Sequence, residues 1–344
     1  MKKILVSVVV CLFGIAFTMN IASAATKKPD GTIEMKLGHG APAGTYTDQQ
    51  TVRFRDLIAK KTGDKVKISI FPDSQLGSED AMVQAVNLGT LDMSLTDAAY
   101  IANLNPAIGV LDFMYMYKDL EGYTRVLQSK IFDELSDLVA KKSGVIPLAP
   151  FLLGPRHLIT VDKPVRSFAD AKGLMLRSSP SELSQYFSKT LGGTPTPVPW
   201  PETYMALKQG VVKGAECSLE GIAAGKWHEV CNYLTLTGHV YTNEVLSISK
   251  QSWRMLSKEQ QKIFKETAKE VALWKVEQMP AITKESLDKL KKENPKLQII
   301  ELPADALTTY KAQATEFAKH FRKKYEKENW GQYYDRVVNL GWGK

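Results

Sequence analysis

The residues best placed to do chemistry in this chain lie in Leu174-Met175-Leu176-Arg177-Ser178-Ser179-Pro180-Ser181-Glu182. An apolar strand is expected to end on Arg177, two serines follow, and a helix opens with Ser179 as N-cap and Pro180 at its first position. Helix-end amides, hydroxyls and a guanidinium fork then meet at one spot, which is the makeup of an anion site. Arginine suits that role better than lysine, because its planar fork matches two oxygens of a carboxylate or sulfonate. A second reading stays open, in which Arg177 pairs with a nearby acid and the serines only cap the helix.

Other chemistries find little support. The five histidines, His39, His157, His228, His239 and His320, show no metal-ligand spacing, and there is no C-x-x-C, G-x-S-x-G or H-E-x-x-H. Gly38-His39-Gly40 with Gly44 has the spacing G-x-G-x-x-x-G, which is not the dinucleotide fingerprint. No metal or cofactor is therefore expected, and a periplasmic hydrolase is kept only as the alternative from another class. The lysine clusters, such as Lys141-Lys142 and Arg322-Lys323-Lys324, are scattered and often sit beside acids, as on a solvated helix face and unlike a nucleic-acid groove. Cys217 and Cys231 could be bonded or free in an oxidising compartment, and their spacing does not decide which.

The elements that must position these residues begin after an expected signal peptide, residues 1–24. Met1-Lys2-Lys3 is basic, Ile4 to about Ile21 is apolar, and Ala22-Ser23-Ala24 has the small-x-small form of a cleavage site. Its removal would take Lys2 and Lys3, lowering the formal charge from +8 to +6. The remaining chain is long and apolar enough, at 44% hydrophobic overall, for two domains.

Ile33 to Leu37 and Val66 to Ile70 alternate apolar with polar, and helices are expected between them, from Asp48 to Thr62, and from Ser78 to near Gly89. Short strands follow at Met93 to Leu95, delivering Asp97, and at Gly144 to Leu148. The pattern restarts after Leu153 with strands at 158–161, 174–177 and 196–198 and helices at 181–191 and 201–210. Ser257 and Gln260 form a capping box before a long helix that Pro280 should kink or interrupt, and helices are expected again at 284–294 and 304–327. This order predicts an α/β fold with mostly parallel sheets.

Three segments carry a resemblance over nearly the whole mature chain. Phe71-Pro72-Asp73-Ser74-Gln75-Leu76-Gly77, Ala169-Asp170-Ala171-Lys172-Gly173-Leu174-Met175-Leu176-Arg177 and Gln209-Gly210-Val211-Val212-Lys213-Gly214-Ala215-Glu216 resemble the periplasmic solute-binding subunits of tripartite ATP-independent periplasmic (TRAP) transporters. The resemblance implies a two-lobed periplasmic-binding-protein fold with mixed, mostly parallel sheets, crossing strands and a long lobe-spanning helix. Lobe I is expected from 25–152 plus about 243–275, and lobe II from 153–242 plus about 276–344. It further implies a monomeric, exported carrier that binds a small organic anion and hands it to a sodium-coupled permease of one small and one large membrane subunit.

In such proteins the arginine matching Arg177 bridges the ligand's acid group, with one matching Arg156 close by. Asp97, Tyr100, Trp200 and His39, the last in His39-Gly40-Ala41-Pro42, are matched as further ligand-facing residues, and Ser178 joins them from the anion spot beside Arg177. Cys217 stands where the better-known acid binders usually have asparagine, so hydrogen bonding to the rest of the ligand must come from elsewhere, with Glu216, Glu220 and Asn243 as candidates. A ligand-binding subunit of a membrane sensor or of an ATP-driven importer is the alternative within the same class.

Overall fold

The computed structural model describes residues 25–344; the expected signal peptide lies outside the described residues. The chain begins with β1 (Thr26–Lys27), β2 (Ile33–His39), α1 (Tyr46–Lys61), β3 (Val66–Phe71), α2 (Glu79–Leu88), β4 (Met93–Asp97) and the short α3 (Ala98–Ile101). A 3-10 turn at Pro106–Asp112 leads to α4 (Leu120–Gln128), α5 (Ile131–Lys142) and β5 (Val145–Thr160). Next come β6 (Met175–Ser178), α6 (Glu182–Thr190), β7 (Thr194–Pro197), α7 (Thr203–Lys208), β8 (Gly214–Ser218) and α8 (Leu219–Ala224). After β9 (Tyr233–Leu236) and β10 (Tyr241–Ser249), the chain ends through α9 (Lys250–Met255), α10 (Lys258–Glu293), β11 (Gln298–Glu301), α11 (Ala304–Lys324) and α12 (Trp330–Trp342).

Local signals explain the helix ends. The hydroxyls of Thr45 and Ser78 accept amides of α1 and α2, and Gly89 ends α2 in the left-handed conformation that glycine adopts without strain. Ser257 and Gln260 complete both bonds of the capping box.

Two mixed sheets share one strand. In the first, β3 and β4 flank β2 in parallel, and β10 runs antiparallel between β4 and β5. In the second, β6 pairs in parallel with β7 and β8, while β8 and β9 run antiparallel to β5. Residues 145–155 of β5 bond to β10, and residues 156–160 bond to β8 and β9. The segments 144–148 and 158–161, expected as separate strands, are thus the two ends of β5. At the junction Leu153 is left without a partner, because pairing passes from Leu152 opposite Asn243 to Gly154 opposite Thr242. Such a bulge bends the strand and re-aims a side chain. Gly154 follows at φ 124°, where a side chain would be strained, and a Cβ would also press within 2.9 Å of the Met279 methyl.

Helix α10 corrects a second expectation. It runs unbroken through Pro280 and includes the segment from Lys284 that was expected as a separate helix. Proline removes one hydrogen bond, but the buried stripe of Phe264, Ala268, Val271, Ala272, Met279, Ile282 and Leu290 holds the helix against the cores. The two cysteines are both buried and free, which answers the open question about them.

Helix α12 had no clear sequence signal. It packs on α4 and on the 3-10 turn, and its closest approach is glycine on glycine: a Cβ on Gly122 would lie 2.0 Å from the Gly341 carbonyl oxygen. Gly122→Ala is therefore expected to cost about 2 kcal/mol through overpacking. A lower urea midpoint with an unchanged slope would register it.

Candidate functional site

Strands β4, β5, β6, β8 and β10 all reach one cleft. Its wall carries Arg156, Arg177, Asp97, Tyr100, Trp200 and Cys217, six of the eight residues expected at the site. Ser179, Glu79, Glu220, Glu244, Leu153 and the Thr45–Thr47 end of α1 complete its chemistry.

The two arginines are not equivalent. Arg156 is saturated by protein: Nε and Nη2 donate to the Glu216 carboxylate, Nη2 also to the Glu216 carbonyl at 2.7 Å, and Nη1 to Thr242 Oγ1 at 3.2 Å. Asp97 Oδ2 stands 3.5 Å from the same Nη1. Burial works against both charges, yet Arg156 holds the Glu216 carboxyl below its ordinary range and Glu216 holds Arg156 above its own. Arg177 makes one protein hydrogen bond, from Nε to the Val198 carbonyl at 2.9 Å, and its terminal nitrogens face the cleft. Of the two forks, Arg177 is the one open to a ligand.

Two expected residues are not on the wall. Side chains alternate along an extended segment, so Arg177 and Ser179 face the cleft together and Ser178 points the other way into the interior. His39 is also turned inward: Asp48, in the first turn of α1, bonds its ring at 3.2 Å, and only Gly40 and Ala41 of that loop reach the cleft. The cap of α6 is likewise Ser181, whose hydroxyl accepts the Ser184 amide, and not Ser179. Asp97 does double duty, capping α3 through the Ala99 amide while presenting its second oxygen to Arg156. Trp200 packs against Trp227, with ring centroids 4.9 Å apart and planes tilted by 44°, and so offers a fixed apolar face.

The three candidates for additional polar contacts separate. Glu216 is spent on Arg156, and Asn243 is tied to Tyr123 and to Asp112 at 2.6 Å. Glu220 does line the cleft, where it accepts the Thr47 amide at 2.9 Å and the Lys275 ammonium at 2.9 Å.

Sequence reasoning missed Glu79, Glu244 and Lys275. Glu244 sits directly opposite Asp97 across the β10–β4 ladder, and its Oε2 accepts Thr47 Oγ1 at 3.1 Å and Gln50 Nε2 at 3.2 Å. Glu79 Oε2 accepts the Asp97 amide at 3.0 Å. Burial, then the neighbouring acids Glu79 and Glu220, push Glu244 up to about 8; burial, then Asp97, push Glu79 up to about 7. The available signals were a lone acid inside an apolar strand and a lysine at the helical spacing of the buried stripe of α10.

These raised values fix a sign. Between the ordinary glutamate value of 4.5 and about 8 the folded chain holds protons that the unfolded chain has lost. Stability of the ligand-free protein is therefore expected to fall as pH rises through that window and to level beyond it. Glu244→Gln should flatten the slope in urea titrations run at a series of pH values.

A cleft at the seam of two α/β sheets joined by the crossing strand β5, with a buried guanidinium in its wall whose terminal nitrogens make no protein hydrogen bond, is the form of a two-lobed solute-binding protein. Residues 37–324 match the bacterial extracellular solute-binding protein family 7, and the chain belongs to that family. It is 31% identical to a solute-binding protein of Roseobacter denitrificans over 70% of this chain and 73% of that one. It is 29% identical to the 2,3-diketo-L-gulonate-binding periplasmic protein of Escherichia coli over 75% and 79% of the two chains. Among solved structures, a TRAP periplasmic solute-binding protein from Polaromonas bound to D-erythronate superposes with a TM-score of 0.81 at 28% identity, covering 90% of this chain and 98% of the other. No helix among the described residues is long and apolar enough to cross a membrane.

Proposed function

We propose that this chain captures a small organic carboxylate outside the cytoplasmic membrane and delivers it to the two membrane subunits of a TRAP permease, after cleavage of residues 1–24. The observation that carries this reading is the open fork of Arg177 in the cleft wall. The sugar acids named for the Escherichia coli and Polaromonas relatives are compact carboxylates of the same kind. Trp200 covers the ligand's apolar part, and Arg156 supports the site electrostatically from behind its Glu216 pair. A carrier without catalysis fits the Cys217 thiol, which burial pushes up to about 11 and so keeps protonated.

Lobe I is taken as 25–152 with about 243–275 and lobe II as 153–242 with about 276–344, except that α12 is assigned to lobe I because it packs on α4. Closure brings Glu220 of one lobe onto the Thr47 amide of the other.

A thermal-shift panel of hydroxy, keto and sugar acids with isethionate tests the reading. One acid at a hundred times its dissociation constant adds about 2.7 kcal/mol and raises the melting temperature accordingly. A panel in which no acid moves the transition at millimolar concentration sinks the proposal.

A further inference from the structure

We infer that the ligand carries a protonated amine as well as its acid group, so that an amino-bearing carboxylic acid meets Arg177 with its acid group and the carboxylates of Glu244 and Glu79 in the same cleft with its amine. This rests on the organic-acid reading above and names the ligand class within it.

The charges in the cleft do not balance without such a group. Arg156 is matched by Glu216, with Asp97 sharing it at 3.5 Å, and Lys275 is matched by Glu220 at 2.9 Å. What remains is one cation against three acids: Arg177, only 3% exposed, against Asp97, which only shares Arg156, Glu79, which feels both arginines, and Glu244, only 6% exposed. The Arg177 and Glu244 side chains are both buried and line the same cleft, and the Arg177 terminal nitrogens and Glu244 Oε1 make no protein hydrogen bond among the described residues, while Arg177 Nε and Glu244 Oε2 are bonded.

A ligand with a carboxylate alone would take up Arg177 and leave Glu79 and Glu244 with no cation in the cleft wall free to meet them. Buried carboxylates in that condition retain protons. An ammonium replaces those protons with a fixed charge and three donors.

Hydrogen-bond polarity points the same way. Around Glu244, its own Oε2 and Glu220 already accept from Thr47, Gln50 and Lys275, while Glu244 Oε1 and Glu79 Oε1 remain as acceptors. The groups facing Glu244 are Asp97 across the ladder, Glu79, Glu220, Lys275, Thr47 and Gln50, and the one cation among them, Lys275, is held by Glu220. When the amine docks, each carboxylic acid it pairs with gives its proton to solvent and becomes a carboxylate, so binding is accompanied by proton release.

Isothermal calorimetry on the full ligand-free protein tests this with matched pairs: 4-aminobutanoate against 4-hydroxybutanoate, and 2-amino-2-deoxy-D-gluconate against D-gluconate. The amino member of at least one pair should bind about tenfold tighter or better, a preference typical of a desolvated charge pair. Titration at pH 7 in two buffers of different ionisation enthalpy should show protons released. Glu244→Gln should bring the two members of that pair within about threefold of each other. If the hydroxy member binds as tightly or tighter and no proton leaves, the inference is overturned, while the organic-acid reading survives provided Arg177→Lys still weakens that binding. If neither member of any pair binds and no other acid does, both fall. The wild-type ratio and proton count decide the matter even if Glu244→Gln folds poorly.

Discussion

Arg177→Met should lower affinity for the captured acid by about a thousandfold, the scale of removing one partner of a buried charge pair. The methionine keeps much of the side chain's length and removes the charge, so the Val198 carbonyl loses a donor and the ligand's acid group loses its counter-ion. Arg177→Lys keeps the charge and loses the fork, and a drop of about tenfold to a hundredfold is expected. The same two variants should leave the urea midpoint of the free protein close to wild type, since Arg177 makes a single hydrogen bond to protein. Calorimetric affinities within a few-fold of wild type for both variants would remove Arg177 from the site.

The second large effect falls on stability. Glu216→Ala leaves the Arg156 guanidinium buried without the carboxylate that accepts from Nε and Nη2, and His239 without its acceptor at 3.2 Å. Breaking one side of a buried pair typically costs about 3–5 kcal/mol, a large part of the margin by which a domain stays folded. Glu216→Gln keeps one acceptor oxygen and should cost clearly less. Equilibrium urea unfolding of the three proteins measures the order. A loss under about 1 kcal/mol in Glu216→Ala would mean that water or Asp97 replaces the missing partner, against the reading that Arg156 is saturated.

The parts of the fold that were legible are those with one solvated face. Ile33 to Leu37 and Val66 to Ile70 alternate because β2 and β3 bury only part of their surface, and both were read as strands. Strand β5 was harder because it is buried on most of its length and contains Pro147, Pro150 and Pro155, residues that argue against a central strand. They are tolerated in irregular pairing, with register shifts between Thr242 and Asn243 and between Leu246 and Ser247 inside the β10 partnership.

At the site, Arg177 was legible by itself, as an arginine at a strand end before a capped helix, whereas Arg156, Asp97, Tyr100, Trp200 and Cys217 came through the family resemblance. Glu244 was legible in neither way, since its meaning depends on lying opposite Asp97 across a ladder between distant segments. His39 and Ser178 failed for the converse reason. Proximity to the cleft in sequence does not fix direction, which the strand pleat and a competing Asp48 decided.

Strand β5 has one more implication, for how such a protein changes its ligand over evolutionary time. A single extended run carries Phe151 and Leu152 in one core, Leu153 and Arg156 at the cleft, and Leu158 and Ile159 in packed interior beyond it. Drift in either core therefore displaces Arg156, and any gain in fit there is tied to a loss of packing elsewhere. Trp200, Tyr100, Glu79 and Glu220 stand at the ends of short elements and can be exchanged one at a time. New specificities in this lineage should accumulate at those four positions while the shared strand stays as it is.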